Sequence, residues 1–255
     1  MIEVITGFII FTIGLVIGSF SNVCIYRIPR NESLVWPGSH CPKCSKQIKF
    51  YDNIPLISYI ILKGKCRNCG EPIPLQYPIV ELATGLFYLA LYLFYGLQLI
   101  ALVYMMLCSV LIIISFIDLK VEIIPDTISL PFIVIGFVLS FFLRNINPLD
   151  SMLGIITGGG SLLLVAIFGS KLFKKEAMGG GDIKLAAMIG AFFGWKLTLL
   201  SLFLSFFLGS IIGIIVLAAS KDKSNNIIPF GPFIALGAMI SMFWGNAIIH
   251  WYLMI

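Results

Sequence analysis

Charge is the scarcest commodity in this chain: only 11% of its 255 residues are Asp, Glu, Lys or Arg, while 59% are hydrophobic. Soluble domains carry roughly 25% charged residues, so an ordinary water-soluble fold is excluded. The period-2 alternation of a porin-like barrel is also missing, and an isolated strand would leave its amides unpaired in lipid. No strand precedes the glycine triplet at 179–181 and no βαβ unit surrounds it, which excludes a dinucleotide-binding fold. The first apolar segment, residues 4–26, has neither a basic start nor a small-residue cleavage site, so it is expected to be a retained anchor rather than a removed signal. The net charge of +5 does not indicate a nucleic-acid partner, because the basic residues sit in short loops between apolar segments, where lipid headgroups and topology account for them.

What the chain has instead is a series of apolar runs of about 20 residues, each long enough to cross roughly 30 Å of hydrocarbon as a helix. The expected class is therefore all-α, a polytopic integral membrane protein. Spans are expected at 4–26, 78–96, 98–117, 126–143, 151–170, 183–195, 197–219 and 231–253, which gives about eight crossings. Placing the polar segment 27–77 in the cytoplasm puts fifteen of the 17 basic residues inside, from Arg27, Arg30 and Lys43 through Lys120, Lys184, Lys221 and Lys223. Only Arg144 and Lys196 fall outside, so the positive-inside rule sets the orientation, with both termini outside. The sixth span is the short one and carries Lys184. In the fifth, Gly154, Gly158, Gly159 and Gly160 have the small-xxx-small spacing of a close packing face.

The segment 27–77 contains Cys41-Pro42-Lys43-Cys44 and, 21 residues on, Cys66-Arg67-Asn68-Cys69. Two such Cys-x2-Cys turns can each aim two sulfurs at one centre, so the pattern resembles a cytoplasmic tetracysteine zinc ribbon. Two disulfides are the alternative, disfavoured by a reducing cytoplasm. Four thiolates close the coordination shell, which makes Zn2+ structural and leaves His40 as a solvated loop residue. Cys24 and Cys108 stand alone in apolar spans and read as small buried hydrophobes.

Two acids fall at one depth by counting crossings. Asp118 ends the third span and Asp182 begins the sixth, both on the cytoplasmic side. Paired carboxylates can hydrolyse a peptide bond, one taking a proton from water while its protonated neighbour polarises the carbonyl. Gly179 and Gly181 would allow a substrate backbone to approach closely. Against this stands a plainer reading: Asp182 as a helix cap near Lys184, and Asp118 as a solvated loop carboxylate paired with Lys120. Asp126 reads as a cap and Glu122 as a surface group. Glu81, near the cytoplasmic end of the second span, reads as a hydrogen-bonded packing partner.

Taken together these residues resemble the bifunctional type IV prepilin peptidases. The likeness runs through Gly18-Ser19-Phe20-Ser21-Asn22 to Arg27-Ile28-Pro29, the tetracysteine loop with Asn53-Ile54-Pro55, Tyr77-Pro78-Ile79-Val80-Glu81, Asp118 with Ile124-Pro125-Asp126, residues 179–184, and Pro229-Phe230-Gly231-Pro232. Ser21 stands where an apolar residue is more usual. The resemblance implies an aspartic endopeptidase of the bacterial inner membrane with Asp118 and Asp182 as the catalytic pair and Gly179 and Gly181 as the motif glycines. It implies prepilin or pseudopilin precursors as substrates and S-adenosylmethionine as methyl donor for the new amino terminus, with no methylating residues assigned. The expected organisation is a first helix at 1–26, a zinc-ribbon-like loop at 27–77 and a membrane helical domain at 78–255 that carries the protease site. The competing class is a non-enzymatic membrane assembly or transport protein, with the zinc loop for docking and the aspartates along a polar path.

Overall fold

The computed structural model describes residues 1–143, 146–175, 178–219 and 228–253. Arg144, Lys221 and Lys223 lie outside the described residues. The apolar runs are helices: α1 Ile2–Arg27, the short α2 Ile57–Ile61, α3 Gln76–Tyr95, α4 Leu99–Val121, α5 Asp126–Leu139, α6 Pro148–Phe173, α7 Gly180–Ala219 and α8 Gly231–Leu253. Among the described residues, six are long and apolar enough to cross a membrane, and α5 is a shorter apolar helix. The chain divides into two compact units, residues 1–113 and 114–255.

In the first unit, α1 and α3 pack antiparallel because glycines of α1 make room for α3, Gly7 for Leu89 and Tyr92 and Gly14 for Tyr88. A Cβ on Gly14 would fall 2.8 Å from the Gly85 backbone, and one on Gly18 would fall 2.7 Å from that of Glu81. Asn22 reinforces the contact by donating to the Tyr77 carbonyl at 3.1 Å. Tyr88 of α3 and Ser109 of α4 share a hydrogen bond at 2.9 Å.

In the second unit the expected division between the sixth and seventh spans falls inside one helical element. The sixth and seventh expected spans are a single 40-residue helical run, α7, interrupted at Gly194, whose φ of 70° and ψ of 175° are non-helical. A Cβ on Gly158 of α6 would press on both the Ala186 carbonyl and the Thr198 methyl. In an unbroken helix those two residues would stand about 18 Å apart. The chain therefore reverses at Gly194, and α7 is a hairpin: residues 180–193 run antiparallel to α6, and the return arm runs back beside it. Gly154 confirms the fold-back, since it meets Gly190 of one arm and Gly194 at the tip. Ser151 donates to the Ala191 carbonyl at 2.7 Å. Counted by arms, the apolar helical segments number eight, but α5 and the outgoing arm span only about 21 Å each at 1.5 Å per residue. The eight-crossing count is thus approximate. α8 packs against the return arm, where Gly237 meets Ser201 and Ser205.

Candidate functional site

Asp118 lies in the last turn of α4 and is buried, not in a loop, which corrects the solvated-loop reading. One of its carboxylate oxygens accepts the Gly231 amide hydrogen at 2.9 Å. That amide belongs to the first turn of α8, where helical N–H groups have no partner within the helix and favour negative charge. A Cβ on Gly231 would sit 2.6 Å from the same oxygen, so the contact requires glycine. The sequence reading carried Gly231 only as part of a resemblance, because nothing local in Phe230-Gly231-Pro232 announces a partner 113 residues away.

Asp182 lies in the first turn of α7, with its amide donating to the Gly179 carbonyl at 3.2 Å. Its carboxylate folds back toward Gly179 and lies within electrostatic reach of Asp118. The hairpin explains the meeting. Because α7 returns at Gly194, the chain comes back toward the end at which Asp182 stands before α8 begins, and the start of α8 holds Asp118. Ile124 fills the space between: a Cβ on Gly181 would fall 2.9 Å from its Cβ, and one on Gly231 would fall 3.3 Å from its Cδ1. Gly181 and Gly231 thus give up their side chains to one buried isoleucine.

Lys184 does not pair with Asp182. It makes two 2.7 Å contacts with the Asp126 carboxylate, so Asp126, expected as a cap, ties the start of α5 to the start of α7. Gly179 is exposed, with no more than the Asp182 carboxylate near its Cβ position. Glu122 is exposed, as expected.

In the first unit the four expected sulfurs converge. The Sγ atoms of Cys41, Cys44, Cys66 and Cys69 all lie within 4.8 Å of one another, a cluster able to hold a metal ion. The two knuckles repeat the same turn. Cys41 accepts the Ser45 amide and donates to Lys46, while Cys66 accepts the Gly70 amide and donates to Glu71. Ser45 and Gly70 have φ values of 57° and 73°, and the flanking bridges His40–Gln47 and Lys65–Pro72 correspond. The Cys69 and Asn68 amides draw the Cys66 thiol down to about 7, while, against the Glu71 amide, desolvation and the neighbouring sulfurs push the Cys69 thiol up to about 12, so the cluster shares its protons unevenly when no cation neutralises it. His40 bonds the Gly38 carbonyl at 3.1 Å. Cys24 and Cys108 are buried thiols, and no cysteine is disulfide-bonded. Glu81 is buried and accepts the Leu56 amide at 2.9 Å, a partner the sequence did not disclose.

Two family models match the chain: the bacterial peptidase A24 N-terminal domain over residues 12–95 and the type IV leader peptidase family over residues 105–214. The prepilin leader peptidase/N-methyltransferase of Pseudomonas aeruginosa is 35% identical, over 97% of this chain and 94% of its own length. The protein of the same name from Myxococcus xanthus is 38% identical over 83% of this chain and 63% of its own, and that from Legionella pneumophila 33% identical over 94% and 92%. No solved structure matches at a significant level. With the likeness running along nearly its full length, this chain belongs to the type IV leader peptidase family, that of the prepilin leader peptidase/N-methyltransferases.

Proposed function

We propose that this protein removes the leader from type IV prepilins or pseudopilins as an aspartic endopeptidase, and then methylates the new amino terminus with S-adenosylmethionine. The observation that carries the peptidase reading is geometric: Gly181, beside Asp182, and Gly231, which holds Asp118, pack on the same side chain, Ile124, which brings two acids 64 positions apart in sequence to one end of the unit. Two acids this placed favour a shared proton, which is the condition for one to activate water while the other donates to the scissile carbonyl. Exposed Gly179 leaves the approach to Asp182 free of a side chain, so an extended substrate backbone can come close.

In this reading this end of the helices lies at the cytoplasmic face of the inner membrane, as the basic loops favour, where a precursor keeps its leader in the cytoplasm and its apolar helix in the bilayer. The metal of the tetracysteine cluster is zinc in this reading, a structural ion with no open position for water.

Purified protein in lipid or detergent, incubated with a prepilin-like substrate, tests the reading. Asp118→Asn and Asp182→Asn should each reduce leader removal by at least a thousandfold while the chain still inserts in membranes. Cleavage by the intact protein should fall on both sides of an optimal pH, since the dyad needs one carboxyl in each state. Full activity in either variant would reject that residue's assignment.

A further inference from the structure

The segment between α1 and α3 is rich in charge, yet it holds large apolar side chains in the open. In α2, Ile57, Ile60 and Ile61 share one face at helical spacing and are 55%, 73% and 67% exposed, while Ser58 turns inward and is buried. Water drives the reverse arrangement, with apolar groups inward and hydroxyls outward. Val35 and Trp36, in the turn that follows α1, are exposed as well. That turn is held in place, since the Arg27 guanidinium donates to the Ser33 carbonyl at 2.7 Å and to that of Pro37 at 2.6 Å. An apolar surface kept open by its own fold marks a contact with something apolar.

Depth identifies the contact. The Leu56 amide, at the start of α2, donates to the Glu81 carboxylate at 2.9 Å, and Glu81 lies against Gly18 of α1. Glu81 stands five residues, about 7.5 Å, past the start of α3, and Gly18 nine residues, about 13 Å, short of the end of α1. Both helices are long and apolar enough to cross a membrane, and the 20 residues of α3 make about 30 Å, the thickness of a hydrocarbon core. The chain therefore doubles back along α1 and α3, and α2 begins below the level at which α3 enters the bilayer. The Val35 turn does the same, because residues 34–39 and 53–55 together wall a strip of α1 that runs from Val16 to Arg27. Lipid tolerates such a segment only where its backbone is satisfied. Here the Ser58, Ile60 and Leu62 amides donate to the Ile54, Leu56 and Ser58 carbonyls at 3.1, 3.0 and 2.9 Å, and the Glu81 carboxylate takes the Leu56 amide that the helix cannot.

We infer that α2 and the Val35-Trp36 turn form a foot set in the bilayer interface, with Ile57, Ile60 and Ile61 among the acyl chains of the leaflet in which α1 ends. The depth fits, since interfacial helices bury their apolar face by about 5–10 Å. Charge fits phospholipid headgroups: residues 27–77 carry eight Lys and Arg against three Asp and Glu, and exposed Lys63 and Lys65 follow α2 directly. Continuity favours lipid over a protein partner, because the strip of α1 beneath the two segments includes half-exposed Val16 and Phe20 of a membrane-crossing helix. The tetracysteine knuckles, which flank α2 in sequence, are thereby moored at the membrane surface.

Fluorescence of the full chain in vesicles of phosphatidylcholine and phosphatidylglycerol tests this, with neither cleavage nor methylation in the readout. Trp36 emission is taken as the difference between the intact protein and Trp36→Phe. Lipids brominated near the headgroup end of their chains should quench it about twofold or more, and aqueous iodide should leave it bright. Ile60→Trp adds a reporter on α2 that should respond in the same way. Lys43→Trp, in the exposed first knuckle, should answer to iodide and not to bromine. If iodide reaches Trp36 and the Ile60→Trp reporter while brominated lipid leaves both bright, the foot is in water and the inference fails. Shielding from iodide without quenching by brominated lipid would give this face to a protein partner, a second copy or a precursor, and would overturn it equally.

Discussion

A carboxylate removed from water needs hydrogen-bond donors, and Asp118 finds one in the Gly231 amide at the start of α8. Hydrogen bonds to charged groups contribute about 1.5–3 kcal/mol. Gly231→Ala would put a methyl group 2.6 Å from the accepting oxygen, so either the acid or the helix start must move. If the acid acts in cleavage, that variant should cut leaders about ten- to a hundredfold more slowly, with helical content by circular dichroism unchanged. Asp118 was legible as an acid at a helix end, since depth can be counted from the apolar runs. Its donor was not, because a glycine chosen for what it lacks leaves no pattern in sequence. The same holds for Ile124, an ordinary apolar residue until Gly181 and Gly231 are seen against it.

Among the elements, α7 shows how far pattern reaches. Hydropathy stays high across residues 180–216 with no proline, yet Lys196 interrupts the run, and the expected spans 183–195 and 197–219 part there, two residues from the observed break. The reversal rests on the backbone of Gly194, whose positive φ and extended ψ are open to glycine and strained for other residues. Gly194→Ala should cost about 1–3 kcal/mol. The drop should appear as a lower midpoint of thermal unfolding in detergent and as a parallel fall in leader cleavage, because the hairpin returns the chain toward Asp182. The glycines of α6 were legible as a packing face, and Gly154 and Gly158 do meet α7. Gly160, of the same spacing, faces open space, since one helix face cannot serve every member of a run of three.

At the scale of the molecule, the polar segment between α1 and α3 cannot hold itself together by burial. Cys41 and Ser58 are its only buried residues, so a metal ion held by the four clustered sulfurs would be what secures the knuckles. Stripping the metal with a chelator should expose residues 39–72 to protease while the apolar helices keep their circular dichroism. Acid should do the same. Protons compete with metal for thiolates, so retention is complete at higher pH and lost as pH falls. Asp52 stays ionised through that loss, because its hydrogen bonds to Arg67 hold it below the usual carboxylate range and its contribution vanishes only at still lower pH. Asp52→Asn removes that contact across the whole range, so metal release in the variant should move to higher pH. The Cys-x2-Cys spacing made this cluster fully legible, since its chemistry is local. The out-and-back course of α7 has a last implication for the second unit. Both arms could gain or lose matching turns at the tip with Asp182 and the start of α8 staying where they are, so the same cutting apparatus suits bilayers of differing thickness.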